Sequence, residues 1–237
     1  MRILVTRPEP DGARFADILR QRNHQPVLAP VLTIQPLPDA RWGEGPWAAL
    51  LITSANAVRT LAGDPRLAGL LGLPVLAVGA GSAAAARAAG FVRVESADGD
   101  GGDLAALVAT RYRGTSARLL YLAGENRARD LAGSLAGGGL TVETVAIYRA
   151  VPVETLPAPV REALKRGTLD GVAHFSRRSA LAYLRCVSDM GEAGLRPLHF
   201  CISEPAAEPL RAAGARSIAV ADRPDEAALL ALTGLGA

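Results

Sequence analysis

The sequence predicts an α/β protein of two lobes, each a parallel sheet with helices on both faces. Three observations carry this. Short apolar runs alternate with helix-period stretches along most of the chain, the order of elements in the first half recurs in the second, and two strand-like segments at equivalent places each end in proline. Those segments are PVLAPVLTIQP (Pro26 to Pro36) and VETVAIYRAVP (Val142 to Pro152), 116 positions apart. Each follows a helix, alternates apolar and polar residues, and runs into a residue with no N–H to continue a ladder. They read as the joint of a two-lobed protein.

Taken in order, RILVT (Arg2 to Thr6) is an apolar strand, PEPDG (Pro8 to Gly12) turns, and Ala13, Phe15, Ala16 and Leu19 supply a helical stripe. A strand around Val27 to Ile34 is expected next, then a Pro and Gly-rich link, Pro36 to Pro46, with the punctuation of a lobe boundary. Three further βα units follow: Leu50 to Gly63, Pro74 to Gly90, and VRVES leading through DGDGGD to a helix Leu104 to Arg111. RLLYLAGENRARDLAGSLAGGG (Arg118 to Gly139) then restarts the N-terminal unit at the same offset of 116, GVAHFSRRSALAYL (Gly171 to Leu184) matches LLITSANAVRTL near 122, and CISEPAAEPLRAAG (Cys201 to Gly214) matches VGAGSAAAARAAG at 124. The alignment sets Ser176 under Ser54 and Arg211 under Arg87.

Composition narrows the function classes. The chain has 237 residues and is 49% hydrophobic but 4% aromatic, which suits helices packed on parallel sheets and supplies few platforms for single-stranded nucleic acid. Of 26 basic residues, 25 are Arg and the remaining one is Lys165. Arg grips carboxylates and phosphates bidentately, but a bias of this kind also follows from composition shared with Ala and Gly. No basic run supports a nucleic-acid or membrane patch. Cys186 and Cys201 lack metal or redox spacing, and His24, His174 and His199 are scattered, so no zinc site is expected. The N-terminus carries Arg2, Arg7, Glu9 and Asp11 where a signal peptide needs an apolar core, and no apolar stretch is long enough to span a membrane, which points to the cytoplasm.

In open parallel sheets, ligands sit beyond the carboxyl ends of the strands, where helix N-termini present unpaired N–H groups. Those turns carry Arg7, Ser54 with Asn56, Gly79 to Ser82, Gly124 to Arg127, Ser176 to Ser179, and Ser203. Ser54, Ser82 and Ser176 read equally as ordinary N-caps. GAGSAA (Gly79 to Ala84) fits a dinucleotide fingerprint, with Glu95 and Asp98 as ribose ligands, yet the repeat places SEPAAE at the same turn, which makes it a structural turn first. No nucleophile and base pair is legible: His174 reads as a satisfied core residue and Glu204 as a solvated turn residue. Tyr148 is either a packing residue or a phenol that handles a proton.

ILVTRP, TSANAV at Thr53 to Val58, AVGAGSA at Ala77 to Ala83, the GENRARDLAGSL helix start, AIYRAVP, and FSRRSA at Phe175 to Ala180 together resemble the uroporphyrinogen-III synthases. The resemblance covers the full length and rests on the order and spacing of short motifs. It implies two flavodoxin-like parallel-sheet lobes joined by a two-stranded antiparallel linker, with a discontinuous first lobe of residues 1–35 plus 154–237 and a second of residues 36–153.

It also implies a cofactor-independent hydro-lyase that cyclises linear hydroxymethylbilane to uroporphyrinogen III, losing water and inverting ring D, with no metal. Tyr148 matches the tyrosine of the family's joint motif and would assist the departing hydroxyl. Arg7, Ser54, Asn56, Gly79, Ser82, Ser176, Arg178 and Ser203 would hold the substrate's carboxylates through helix N-termini, hydroxyls and charge. One departure stands out: Ala206 replaces the hydroxyl residue usual in the family at the counterpart of Ser82, leaving Ser203 or the backbone to serve that turn. The partners implied are the linear tetrapyrrole and a transient hand-over from hydroxymethylbilane synthase, for a monomer that binds neither nucleic acid nor membrane. The rival readings are a dinucleotide enzyme using Gly79 to Ser82 and a non-catalytic bilobed anion sensor.

Overall fold

Apolar runs bounded by turn residues become strands buried on both faces, as parallel sheets require. The computed structural model describes residues 1–126, 130–136 and 138–234. Its elements run β1 (Arg2–Val5), α1 (Asp11–Gln21), β2 (Gln25–Leu28), β3 (Leu32–Pro36), β4 (Ala49–Ile52), α2 (Ala55–Ala62), β5 (Val75–Ala77), α3 (Ala80–Ala88), β6 (Val94–Ser96), α4 (Gly101–Arg111), β7 (Arg118–Gly124) and α5 (Leu131–Ala136). They continue with β8 (Thr141–Pro152), α6 (Ala158–Arg166), β9 (Gly171–His174), α7 (Arg177–Cys186), α8 (Glu192–Leu195), β10 (Leu198–Cys201), α9 (Glu204–Ala212), β11 (Ile218–Val220) and α10 (Glu226–Leu232). The chain divides into two compact units, Met1–Thr33 with Val151–Ala237, and Ile34–Ala150.

The first unit holds a parallel sheet in the order β11-β10-β9-β1-β2. Numbered along the chain within that sheet, this is the 2-1-3-4-5 order of flavodoxin-like folds. In the second unit the parallel strands lie β8-β7-β4-β5-β6. The spatial order is the same, but the chain enters at the third strand and finishes with the first two, a circular permutation of the same sheet.

The register carries the repeat to single residues. Leu4 pairs with Val172 in one sheet, and their counterparts Leu120 and Leu50 pair in the other. His199 pairs with Ile218 as Val75 pairs with Val94, and Ile3 with Pro26 as Leu119 with Val142.

Each sheet packs apolar side chains on both faces. Leu4, Val172, Tyr183 and Leu210 anchor one face of the first sheet, and Ile3, Val5, Phe15 and Leu229 the other. In the second sheet Leu50, Ile52, Leu61 and Leu120 face one way, and Leu51, Leu76, Leu104 and Tyr121 the other. Full burial of one such side chain contributes about 2 kcal/mol, so both sheets hold their strand directions firmly.

The strand expected over Val27 to Ile34 is two strands. Pro30 has no N–H, and around it Ala29 and Val31 still donate to Val5 and Thr6 before the chain leaves the parallel sheet and pairs with β8. Ala146 stands at the equivalent place in β8, which therefore runs unbroken for 12 residues. Val153 N–H donates to Val31 and Leu37 N–H to Ile147, so partners on β8 recede as β3 advances and the pair is antiparallel. The helix expected from Leu104 begins at Gly101, because Asp100 and Asp103 form a reciprocal cap across its first turn. Among the described residues, no helix is long and apolar enough to cross a membrane.

Candidate active site

The carboxyl ends of β4 and β7 meet at the switch point of the second sheet, where the strand order reverses and a flavodoxin-like fold opens its ligand crevice. A cavity of about 420 Å³ lies here. Thr53 and Ser54 reach it from the end of β4, Val78 from β5, Asp100 and Gly101 from the start of α4, and Tyr121 and Gly124 from β7. Asn126, Leu131 and Tyr148 complete its wall.

Tyr148 is placed by backbone. A register shift between Ala123 and Gly124 brings Gly124 opposite Tyr148, and Glu125 N–H donates to the Tyr148 carbonyl at 2.8 Å. A Cβ on Gly124 would stand 2.8 Å from Tyr148 Cζ, so glycine is what lets the ring lie against β7. The ring is half-buried beside the Ile147 face of the core, with its phenol at the cavity.

Ser54 caps α2: its Oγ accepts from Asn56 N–H at 3.2 Å, while Asn56 Oδ1 accepts from Arg59 at 2.9 Å. Ser82 is buried in the third position of α3, and Gly79 is that helix's N-cap. A Cβ on Gly79 or Gly81 would meet no protein atom within 4 Å, and Gly79 has an extended backbone, so the packing of the protein itself requires neither glycine. Asn56, Gly79 and Ser82 do not line the cavity, whereas Ser54 and Tyr148 do.

The other predicted residues belong to the first unit. Arg7, just past β1, donates to Glu226 at 2.5 Å and to Asp11 at 3.3 Å, with its guanidinium 5.0 Å from the Phe175 ring centroid. Ser176 caps α7 in a reciprocal box with Ser179, each hydroxyl accepting from the other's N–H at 3.0 Å. Arg178 is half-buried in the first turn of that helix. Ser203 is the N-cap of α9 but makes no side-chain cap bond, and Ala206, fully buried, packs α9 against α7. Glu204, expected as a solvated turn residue, is exposed at the first position of α9 and pairs with Arg211. Arg127, part of the predicted turn after β7, lies outside the described residues.

His174 is not alone on its strand. Its Nε2 lies 3.1 Å from His199 Nδ1 in the core, edge-on to the Tyr183 ring, while among the described residues His174 Nδ1 has no hydrogen-bond partner. Burial and the neighbouring imidazole push His174 well below its ordinary value, and burial pushes His199 down to about 4. Both rings are neutral at physiological pH. Burial likewise raises the Cys201 thiol to about 12, which leaves it inert. Among the described residues no cluster of His, Cys, Asp or Glu could hold a metal ion.

Sequence reading missed Thr53, Asp100 and Tyr121 as cavity residues, whereas Asn126 falls in the turn Gly124 to Arg127 that it singled out. Thr53 sat beside Ser54 in TSANAV, and Tyr121 was submerged in the apolar run RLLYLAG. Only the pairing of β4 with β7 puts the two together.

Comparison with known proteins agrees with this architecture. The crystal structure of uroporphyrinogen-III synthetase from Helicobacter pylori shares the fold with a TM-score of 0.68 at 20% identity, over 99% of this chain and 99% of that one. A mutant uroporphyrinogen III synthase from the extremely thermophilic bacterium Thermus thermophilus gives a TM-score of 0.55 at 20% identity, over 99% and 98%. No curated protein sequence shows significant similarity to the chain. The family model described as uroporphyrinogen-III synthase HemD matches residues 13–231, nearly the whole chain, and the protein belongs to that family.

Proposed function

We propose that the protein closes linear hydroxymethylbilane to uroporphyrinogen III and that Tyr148 assists the departing hydroxyl. Family membership supports the reaction, a cofactor-independent hydro-lyase. The observation that carries the site is Tyr148 on the wall of a cavity at the switch point of a flavodoxin-like sheet.

The chemistry asks little of side chains and much of geometry. The C–O bond of the hydroxymethyl group breaks, and the hydroxyl leaves as water with a proton supplied from Tyr148. The azafulvenium cation left behind is attacked by the substituted carbon of ring D, giving a spiro intermediate. The bond between that carbon and the methylene that first carried ring D breaks, the methylene bonds instead to the unsubstituted α-carbon of ring D so that the ring is inverted, and the proton lost from that carbon restores the phenol. Uncatalysed closure is head to tail, so holding the chain bent is much of the catalysis.

The substrate's carboxylates are held by the helix N-termini and hydroxyls of Ser54, Asn56, Ser82, Ser176 and Ser203, with the Gly79 turn offering N–H groups and Arg7 or Arg178 adding charge. The enzyme works as a cytoplasmic monomer that receives its substrate by transient hand-over from hydroxymethylbilane synthase. The test generates hydroxymethylbilane in situ, with and without the protein, and separates the oxidised porphyrins by isomer. A shift from isomer I to isomer III is expected, and isomer I alone from folded protein would overturn the reading.

A further inference from the structure

We propose that Asn126 is a further catalytic residue, whose side-chain carbonyl accepts a hydrogen bond from the N–H of the pyrrole that loses its hydroxyl; the inference rests on the reaction proposed above. Most polar side chains on the cavity wall are committed within the protein. Ser54 Oγ accepts from Asn56 N–H to cap α2, Asp100 accepts from Gly102 N–H at 2.5 Å to cap α4, and the hydroxyls of Thr53 and Tyr121 share a hydrogen bond of 2.7 Å. The phenol of Tyr148 and the amide of Asn126 differ. Both residues line the cavity, and among the described residues neither group has a hydrogen-bond partner. The backbone brings them to one place: Asn126 is exposed, two residues beyond Gly124, which faces Tyr148, and the intervening Glu125 donates its N–H to the Tyr148 carbonyl at 2.8 Å.

The internal repeat supplies a control for the structural explanation. At the offset of 116 the counterparts of Asn126 and Tyr148 in the first unit are Pro10 and Leu32. The turn and the joint strand thus form there without a polar side chain at either place, and the amide and the phenol occur together in the unit that holds the cavity. The chemistry at this place needs an acceptor. As the C–O bond breaks, the lone pair of the pyrrole nitrogen is drawn into the ring, and the nitrogen keeps its hydrogen and takes up positive charge. The departing oxygen and that nitrogen are joined through two carbons, so a group beside the phenol reaches the N–H. An amide carbonyl accepts from a neutral N–H in the ground state and from a charged one in the transition state, and a charged donor makes the stronger bond. The bond therefore tightens as the cation forms, which speeds the chemical step and leaves substrate binding nearly unchanged.

Single turnovers test this, with the full chain in excess over freshly generated hydroxymethylbilane and isomer III followed in time for the wild type, Asn126→Ala and Asn126→Asp. Asn126→Ala is expected to lower the rate at saturating enzyme about tenfold, the loss of one hydrogen bond to a charged group, while the enzyme concentration giving half that rate stays within about twofold. Asn126→Asp keeps an acceptor and sets a negative charge beside the cation, so at about pH 8, where the carboxylate is ionised, its rate holds within about twofold of the wild type or rises. A wild-type rate in Asn126→Ala would overturn the proposal, as would an Asn126→Asp rate as low as that of Asn126→Ala. A loss that more enzyme overcomes would also overturn it, since that is the mark of an amide anchoring a substrate carboxylate. The side chain is exposed, and circular dichroism checks that each variant is folded. Failure of the wild type to form isomer III would instead sink the reaction itself, an outcome separate from an active wild type whose Asn126→Ala variant keeps its rate.

Discussion

The phenol of Tyr148 occupies the space that a side chain on Gly124 would need: a Cβ there would stand 2.8 Å from Cζ and 2.9 Å from the hydroxyl oxygen. The two residues face each other across β7 and β8 where the register shifts. Gly124→Ala therefore displaces the ring from the cavity wall. The expected result is a fall of about tenfold in kcat/KM, the scale of a misplaced catalytic group, with the urea midpoint little changed. Wild-type kinetics in a folded variant would separate the ring's position from turnover.

Tyr148→Phe keeps the ring in place and removes only the hydroxyl. Its kcat is expected to fall by about tenfold or more while KM stays within about twofold, since general acid assistance acts on the chemical step. Rates of isomer III formation read the effect, and an unchanged kcat would leave the phenol as packing.

The buried pair of His174 and His199 makes the first unit sensitive to acid. Burial lowers both in the folded state, His199 to about 4, while the unfolded chain takes up protons near pH 6.5. The unfolded state thus binds more protons below that value, and stability present above pH 6.5 declines as pH falls toward about 4. Each histidine contributes a slope of up to about 1.4 kcal/mol per pH unit in that window. Urea denaturation at pH 7 and pH 5 should show a large loss in the wild type and a smaller one in His199→Gln. Equal losses would remove the pair as the source.

Glu226 gathers two guanidiniums, Arg7 at 2.5 Å and Arg14 at 2.6 Å, and the bond to Glu226 raises the already high value of Arg14. The carboxylate is about one-quarter exposed, so the network is screened and modest. Glu226→Gln is expected to cost about 1 kcal/mol at low salt and less in 1 M salt, as read from urea midpoints. A loss independent of salt would point to packing.

Ala206 is fully buried where α9 packs on α7. Restoring a hydroxyl with Ala206→Ser places a polar atom in that contact and is expected to cost about 1 kcal/mol of stability with KM unchanged. A lower KM would show that the turn regains a substrate contact.

What could be read from residues alone was local or periodic. Alternating apolar runs marked the βα units, capping residues such as Ser54 and Ser176 marked helix starts, and the recurrence of Arg2 at Arg118 and Ser54 at Ser176 marked the repeat. Tyr148 was singled out by its match to the family's joint motif, on a strand whose first copy has Leu32 at that place. Where reading erred, a single residue intervened: Pro30 split one strand into two, and the Asp100 cap started α4 three residues early.

The α/β class, the two repeats and the order of their elements were therefore written in the chain itself, because strand and helix periods and the punctuation between them are carried by neighbouring residues. Folding in three dimensions added that the second sheet is a circular permutation of the first, that Thr53 meets Tyr121, and that His174 meets His199. Those meetings depend on which strands become neighbours and in what register, and pairing at long separation is settled by how two apolar faces bury together, which no local pattern encodes.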